Sequence, residues 1–240
     1  MCLGISLVFL LAYVRARKHK ILIDDLFIIA SFSLLFGLIG ASALHAITTY
    51  PIKTLIKLIL SGNFEFLGGL VFYGGLIFGI LGGIIGIKIS KVKFQTIEAC
   101  IVPFLPLGHA IGRFGCLMAG CCNGIEYDGL FAIHYPNSVA GLFAEQGYFP
   151  VQILEALLNI MVSAFLIIYT KKERKKYSIL FLYLLLYAAM RFLLEFLRGD
   201  AVRGIYFGIS TSQWISLSIF LSLSLSFLVS HLKAISKKSS

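Results

Sequence analysis

Apolar residues run in long blocks, broken by short polar and mostly basic segments. Seven blocks can be drawn, roughly 1–14, 22–47, 66–89, 96–118, 151–169, 177–197 and 207–232. About 20 apolar residues carry a helix across the hydrocarbon layer, where only closed backbone hydrogen bonding survives. The pattern predicts an all-α polytopic membrane helix bundle of about seven transmembrane helices. The first block is short for a span; it predicts a short helix with snorkelling flanks, or a chain that starts inside its first helix. A single transmembrane domain over 1–240 is expected. Within it, 120–150 would form a small periplasmic or extracellular head.

Inside the blocks, finer signals shape the elements. The break at 51–64 carries Lys53 and Lys57 four apart among Ile and Leu, which predicts a short amphipathic helix in the interface. The third block holds Gly68, Gly69, Gly74, Gly75, Gly79, Gly82, Gly83 and Gly86. Small residues at this spacing let helix backbones approach in lipid; at Gly74 and Gly75 a lipid headgroup can also reach backbone donors. Pro103 and Pro106 free carbonyls in the fourth block and predict a kink. In the head, 130–136 reads as a short strand before a turn.

Composition changes the picture little: a mean hydropathy of +0.93 lies far outside the soluble range. Charge changes it more. The formal +10 is clustered between apolar blocks rather than along a polar face, which argues against a nucleic-acid partner. Segments 15–20, 88–93, 171–176 and 233–238 hold 15 of the 21 Lys and Arg residues, and a seven-span arrangement puts all four on one side. By the positive-inside rule that side is cytoplasmic, with the amino terminus outside and the carboxyl terminus inside. Lys53, Lys57, Arg113, Arg191, Arg198 and Arg203 are the six left over, and they gather near the opposite face.

Those arginines point to an anion. An Arg at the end of an apolar helix must meet an anion, a wet cavity or the headgroup layer, and its planar fork suits a phosphate. Arg113 is flanked by Gly112 and Gly115, so a ligand can come close. Arg191, Glu195 and Arg198 fall at i, i+4 and i+7, one face of a continuous helix, with one positive charge in excess. His109, four residues before Arg113, is the candidate base; His134 and His45 are weaker ones. Cys116, Cys121 and Cys122 admit several readings: nucleophiles, a disulfide pair, buried packing thiols, or metal ligands together with His109. No cofactor is required by any motif.

The stretch 106–120, with Gly112-Arg113-Phe114-Gly115 at its centre, resembles the signature of the bacterial prolipoprotein diacylglyceryl transferases. So do Phe72-Tyr73-Gly74-Gly75, Pro150-Val151-Gln152, and Arg191 to Arg198 with Asp200, so that the resemblance runs through nearly the whole chain. It implies a seven-span enzyme of the bacterial inner membrane with its site toward the outer face. Such enzymes move diacylglycerol from phosphatidylglycerol to a lipobox Cys thiol of a prolipoprotein, releasing glycerol phosphate. On this reading Arg113, Arg191, His109 and Tyr73 are catalytic candidates. Gly112, Gly115, Cys116, Glu195, Arg198, Gly74 and Gly75 line the substrate. The sequence departs from the family pattern at Tyr73 and Phe149, where the family has His, and at Cys116 and Cys121, where it has Asn and Glu. The phosphate-facing arginines are kept. Alternatives are a paralogue with another thiol acceptor and a non-catalytic phospholipid-binding or transport protein.

Overall fold

The computed structural model describes residues 2–64, 68–171, 178–199 and 205–239; Asp200, Arg203 and the basic residues of 172–176 fall outside these. The chain is helical: α1 (Cys2–Lys18), α2 (Ile23–Thr49), α3 (Ile52–Leu60), α4 (Phe72–Ser90), α5 (Phe94–Ile101), α6 (Leu105–Ala119), α7 (Val151–Tyr169), α8 (Ile179–Leu194) and α9 (Thr211–Ser239). A two-residue antiparallel pair, Ile205–Tyr206 with Ile209–Ser210, precedes α9. Among the described residues, five segments are long and apolar enough to cross a membrane: Ile23–Thr49, Phe72–Ser90, Phe94–Ala119, Val151–Tyr169 and Ile179–Leu197. They make the chain an integral membrane protein. Of the two terminal blocks, α1 is helical over only 17 residues.

Two compact units divide the chain, Phe9–Cys100 and Met1–Val8 with Ile101–Ser240. In the first, α2 and α4 pack backbone to backbone along the glycines. A Cβ at Gly74 would strike the Gly40 carbonyl, and one at Gly86 would lie 2.7 Å from the Ile29 α-carbon. The Ser33 hydroxyl adds a hydrogen bond to the Gly79 carbonyl at 2.8 Å. This is the close packing that small residues permit in lipid. Tyr73 and Gly74 are buried in the first turn of α4, and Gly75 rests against Gly37 and Ala41. His45 of α2 packs on Gly69 and pairs with the Thr49 hydroxyl. The amphipathic helix expected after Pro51 forms as α3, with no buried residue.

In the second unit, the prolines break the fourth apolar block. A 3-10 turn at Val102–Phe104 separates α5 from α6. The carbonyl of Pro103 takes a 2.6 Å hydrogen bond from the buried Ser163 hydroxyl of α7, so the kink is satisfied by side-chain donation between helices. The head over 120–150 has no strand at 130–136. Single bridges stitch it instead, Glu126 and Ile133 each to Tyr148, and Gly124 to Arg198. The continuous helix expected through Arg198 also ends early. α8 tightens into a 3-10 turn at Glu195–Leu197, and Arg198 turns extended to reach Gly124.

Candidate active site: arginines on a buried carboxylate

Four polar residues run down one face of α7: Gln152, Glu155, Asn159 and Ser163, at spacings of three, four and four. All four are fully buried. A buried carboxylate in an apolar span must be paired, and Glu155 is paired three ways. Its Oε1 lies 3.0 Å from Arg113 Nη2 and 3.5 Å from His109 Nε2, and its Oε2 lies 3.8 Å from Arg198 Nη1. His109 and Arg113, one turn apart on α6, therefore face α7 together. Below them Asn159 donates to the Glu155 backbone carbonyl at 2.8 Å.

The α8 end contributes a second pair. Arg191 Nη2 meets Glu195 Oε2 at 2.7 Å, and the Ser210 hydroxyl donates to Glu195 Oε1 at 2.8 Å. Arg191 lies within electrostatic reach of both His109 and Glu155. Tyr187, one turn before Arg191, sets its ring 5.5 Å from that of His109, tilted by 46°. Arg113, Arg191 and Arg198 thus face two carboxylates, Glu155 and Glu195, which leaves one positive charge over. Among the buried guanidinium donors without a hydrogen bond are Arg113 Nε and Arg191 Nη1. A Cβ at Gly112 or Gly115 would meet nothing within 4 Å. Positive charge in excess with spare guanidinium donors is an arrangement that can accept a phosphate group.

Beyond Arg113, α6 ends in a Schellman turn. Gly120 is left-handed at φ 61, its amide bonds to the Leu117 carbonyl, and the Cys121 amide returns to the Cys116 carbonyl at 3.1 Å. Gln152 donates to the Cys121 carbonyl at 3.0 Å and ties this turn to α7. Cys122 follows at φ 55, and the three Sγ atoms of Cys116, Cys121 and Cys122 lie within 4.8 Å of one another. A hydrogen bond from the Cys116 thiol, with Arg198 and Arg113 nearby, holds the Cys122 thiol well below the usual range. Burial pushes Cys121 up.

Of the residues singled out in the sequence, the structure gathers His109, Arg113, Arg191, Glu195 and Arg198 into one cluster, with Cys116, Cys121 and Cys122 at the end of α6 beside it. Tyr73, Gly74 and Gly75 belong to the other unit. His134, in the head, enters none of these ion pairs. Sequence reasoning misses Glu155, since 151–169 reads as one more apolar block. Its signal is nonetheless present in the helical spacing of Gln152, Glu155, Asn159 and Ser163.

The chain is similar throughout its length to proteins of one family. A family model described as prolipoprotein diacylglyceryl transferase matches residues 1–229. The phosphatidylglycerol–prolipoprotein diacylglyceryl transferase 2 of Clostridium perfringens is 34% identical over 238 residues, covering 96% of this chain and 89% of the relative. A phosphatidylglycerol–prolipoprotein diacylglyceryl transferase of Clostridium tetani is 31% identical over 221 residues, 90% of this chain and 84% of its own. With helices that span a membrane, a buried arginine cluster and matches of this length, the chain belongs to the prolipoprotein diacylglyceryl transferase family.

Proposed function

We propose that this protein transfers the diacylglyceryl group of phosphatidylglycerol to the thiol of a lipobox Cys in a prolipoprotein, releasing glycerol phosphate. One observation carries the reading within this family: Arg113, Arg191 and Arg198 converge around Glu155 with one positive charge to spare. The phosphodiester of the donor would accept from Arg113 Nε and Arg191 Nη1, two buried donors without a hydrogen bond. Attack of the acceptor thiolate on the glyceryl carbon forms S–C and breaks C–O, and charge grows on the departing phosphate monoester. Guanidiniums fixed in a water-poor site stabilise that charge without reorganising. Glu155 and Glu195 hold the guanidiniums in place.

His109, packed between Glu155 and Tyr187, is the proposed acceptor of the thiol proton. Gly112 and Gly115 would admit the headgroup beside Arg113. Tyr73, Gly74 and Gly75, in the first turn of α4, remain substrate-site candidates on the family resemblance alone. The proposed setting is the bacterial inner membrane, crossed seven times, with the amino terminus and the site outward and the carboxyl terminus cytoplasmic.

The test is transfer of label from phosphatidylglycerol to a lipobox peptide by the purified protein. Arg113→Ala is expected to lower kcat/KM by about 100-fold or more, as loss of a fixed oxyanion donor does. Arg113→Lys is expected not to restore it, since a single ammonium cannot reproduce the fork. A folded, lipid-loaded protein that moves no label to the peptide would overturn the peptide acceptor. Transfer to another thiol would then identify a different acceptor, and lipid binding alone a non-catalytic carrier.

A further inference from the structure

Cys116, Cys121 and Cys122 make no contact with Glu155 itself and meet its cluster at Cys122, beside Arg198 and Arg113, and the fold brings the three together. Cys116 and Cys121 occupy the two positions that a Schellman turn places in contact, on either side of its left-handed glycine. Cys122 adopts a left-handed conformation that few residues other than Gly, Asn and Asp accept readily. The result is three Sγ atoms within 4.8 Å of one another, each only half-buried. A tetrahedral zinc ion with Zn–S of about 2.3 Å requires sulfurs about 3.8 Å apart. Small side-chain rotations suffice to close that difference.

We propose that Cys116, Cys121 and Cys122 bind one zinc ion as thiolates, and that the open fourth position takes the acceptor's thiol. Three protein ligands with one open position is the arrangement of catalytic rather than structural zinc. Three thiolates on a dication carry one negative charge, and Arg198 and Arg113 stand close to Cys122. A tight disulfide can join only two of the three thiols, whereas a metal engages all of them.

The second half of the inference rests on the proposed function. An alkyl acceptor must attack as thiolate, and a thiol that coordinates zinc is deprotonated at neutral pH. The acceptor's S–H proton leaves to solvent beside the half-exposed thiols as its sulfur binds the ion. That sulfur then forms the S–C bond, the C–O bond of phosphatidylglycerol breaks, and the electron pair leaves on the phosphate. The thioether product is neutral and a weak ligand, so it departs and vacates the fourth position.

The experiment uses the full-length protein in lipid nanodiscs under reducing conditions. Mass spectrometry of metals is expected to find one zinc per chain, lost in Cys121→Ser and in Cys122→Ser and retained in Cys2→Ser. In wild type reloaded with cobalt chloride, a lipobox peptide containing Cys is expected to change the cobalt absorption, and its Ser counterpart is not. Both readouts are independent of turnover, and the cobalt measurement needs no variant to fold. Chelation is expected to lower transfer by about 100-fold, as loss of a group that removes the attacking proton does, with recovery on adding zinc chloride. Full transfer by zinc-free, reduced protein would overturn the inference and leave the transferase standing. So would zinc that survives all three Cys→Ser substitutions together, or a cobalt spectrum indifferent to the Cys peptide. Peptide ligation to cobalt without any transfer from phosphatidylglycerol would keep the metal site and overturn the donor reading instead.

Discussion

At Glu155 one carboxylate meets Arg113 at 3.0 Å and Arg198 at 3.8 Å, with both guanidiniums almost wholly enclosed. Glu155→Gln keeps the shape and removes the charge, leaving two buried cations facing each other. Breaking a buried pair in this way costs about 3–5 kcal/mol. Unfolding in mixed micelles is expected to show a loss of that order, together with loss of transfer. A Glu155→Gln protein as stable as wild type would mean that the cations find their balance elsewhere. The arginines are legible in the sequence because an Arg in an apolar block is conspicuous. Glu155 is not, because hydropathy averages over a block and hides a single polar face within it. Its partners lie beyond sequence in any case, since they depend on how α6, α7 and the end of α8 pack.

At the scale of elements, the glycines of α4 make the sharpest test. Gly86→Ala would place a Cβ 2.7 Å from the Ile29 α-carbon, so α2 and α4 must separate; overpacking of this kind costs about 1–3 kcal/mol. At Gly83 the nearest atom is 3.8 Å away, and Gly83→Ala is expected to be neutral or stabilising by up to about 1 kcal/mol, since Ala is the better helix former. Equal effects of the two substitutions, compared by thermal unfolding, would contradict the packing face. The helices themselves are legible from block length, the kink from Pro103 and Pro106, and α3 from its Lys spacing. Two local expectations fail for one reason. The strand at 130–136 and the helix through Arg198 each give way to single-residue bridges within the unit, Ile133 with Tyr148 and Gly124 with Arg198. Such non-local pairing leaves no periodic trace. Gly124 marks the second bridge: a Cβ there would crowd the carbonyls of Phe149 and Leu197, so the approach of Arg198 requires glycine.

For the whole molecule, the open quantity is the number of crossings. Seven apolar blocks stand in the sequence, and among the described residues five segments meet the length and hydropathy of a span. With 17 residues, α1 is about 26 Å long, short of the ~30 Å hydrocarbon layer. It can still cross if Arg15, Arg17 and Lys18, in its last turn, snorkel to the interface while the bilayer thins locally. That geometry also agrees with the charge pattern, which sets 15–20 on the same side as 88–93, 171–176 and 233–238. Epitope tags before Met1, after Lys20, after Asn137 and at the carboxyl terminus, probed in intact and opened spheroplasts, decide it. Tags at Met1 and Asn137 are expected to react in intact spheroplasts, and those at Lys20 and the carboxyl terminus only after opening. Tags at Met1 and Lys20 on the same side would mean that α1 lies along the membrane. The Asn137 tag on the cytoplasmic side would move the arginine cluster to the inner face, away from any acceptor presented outside.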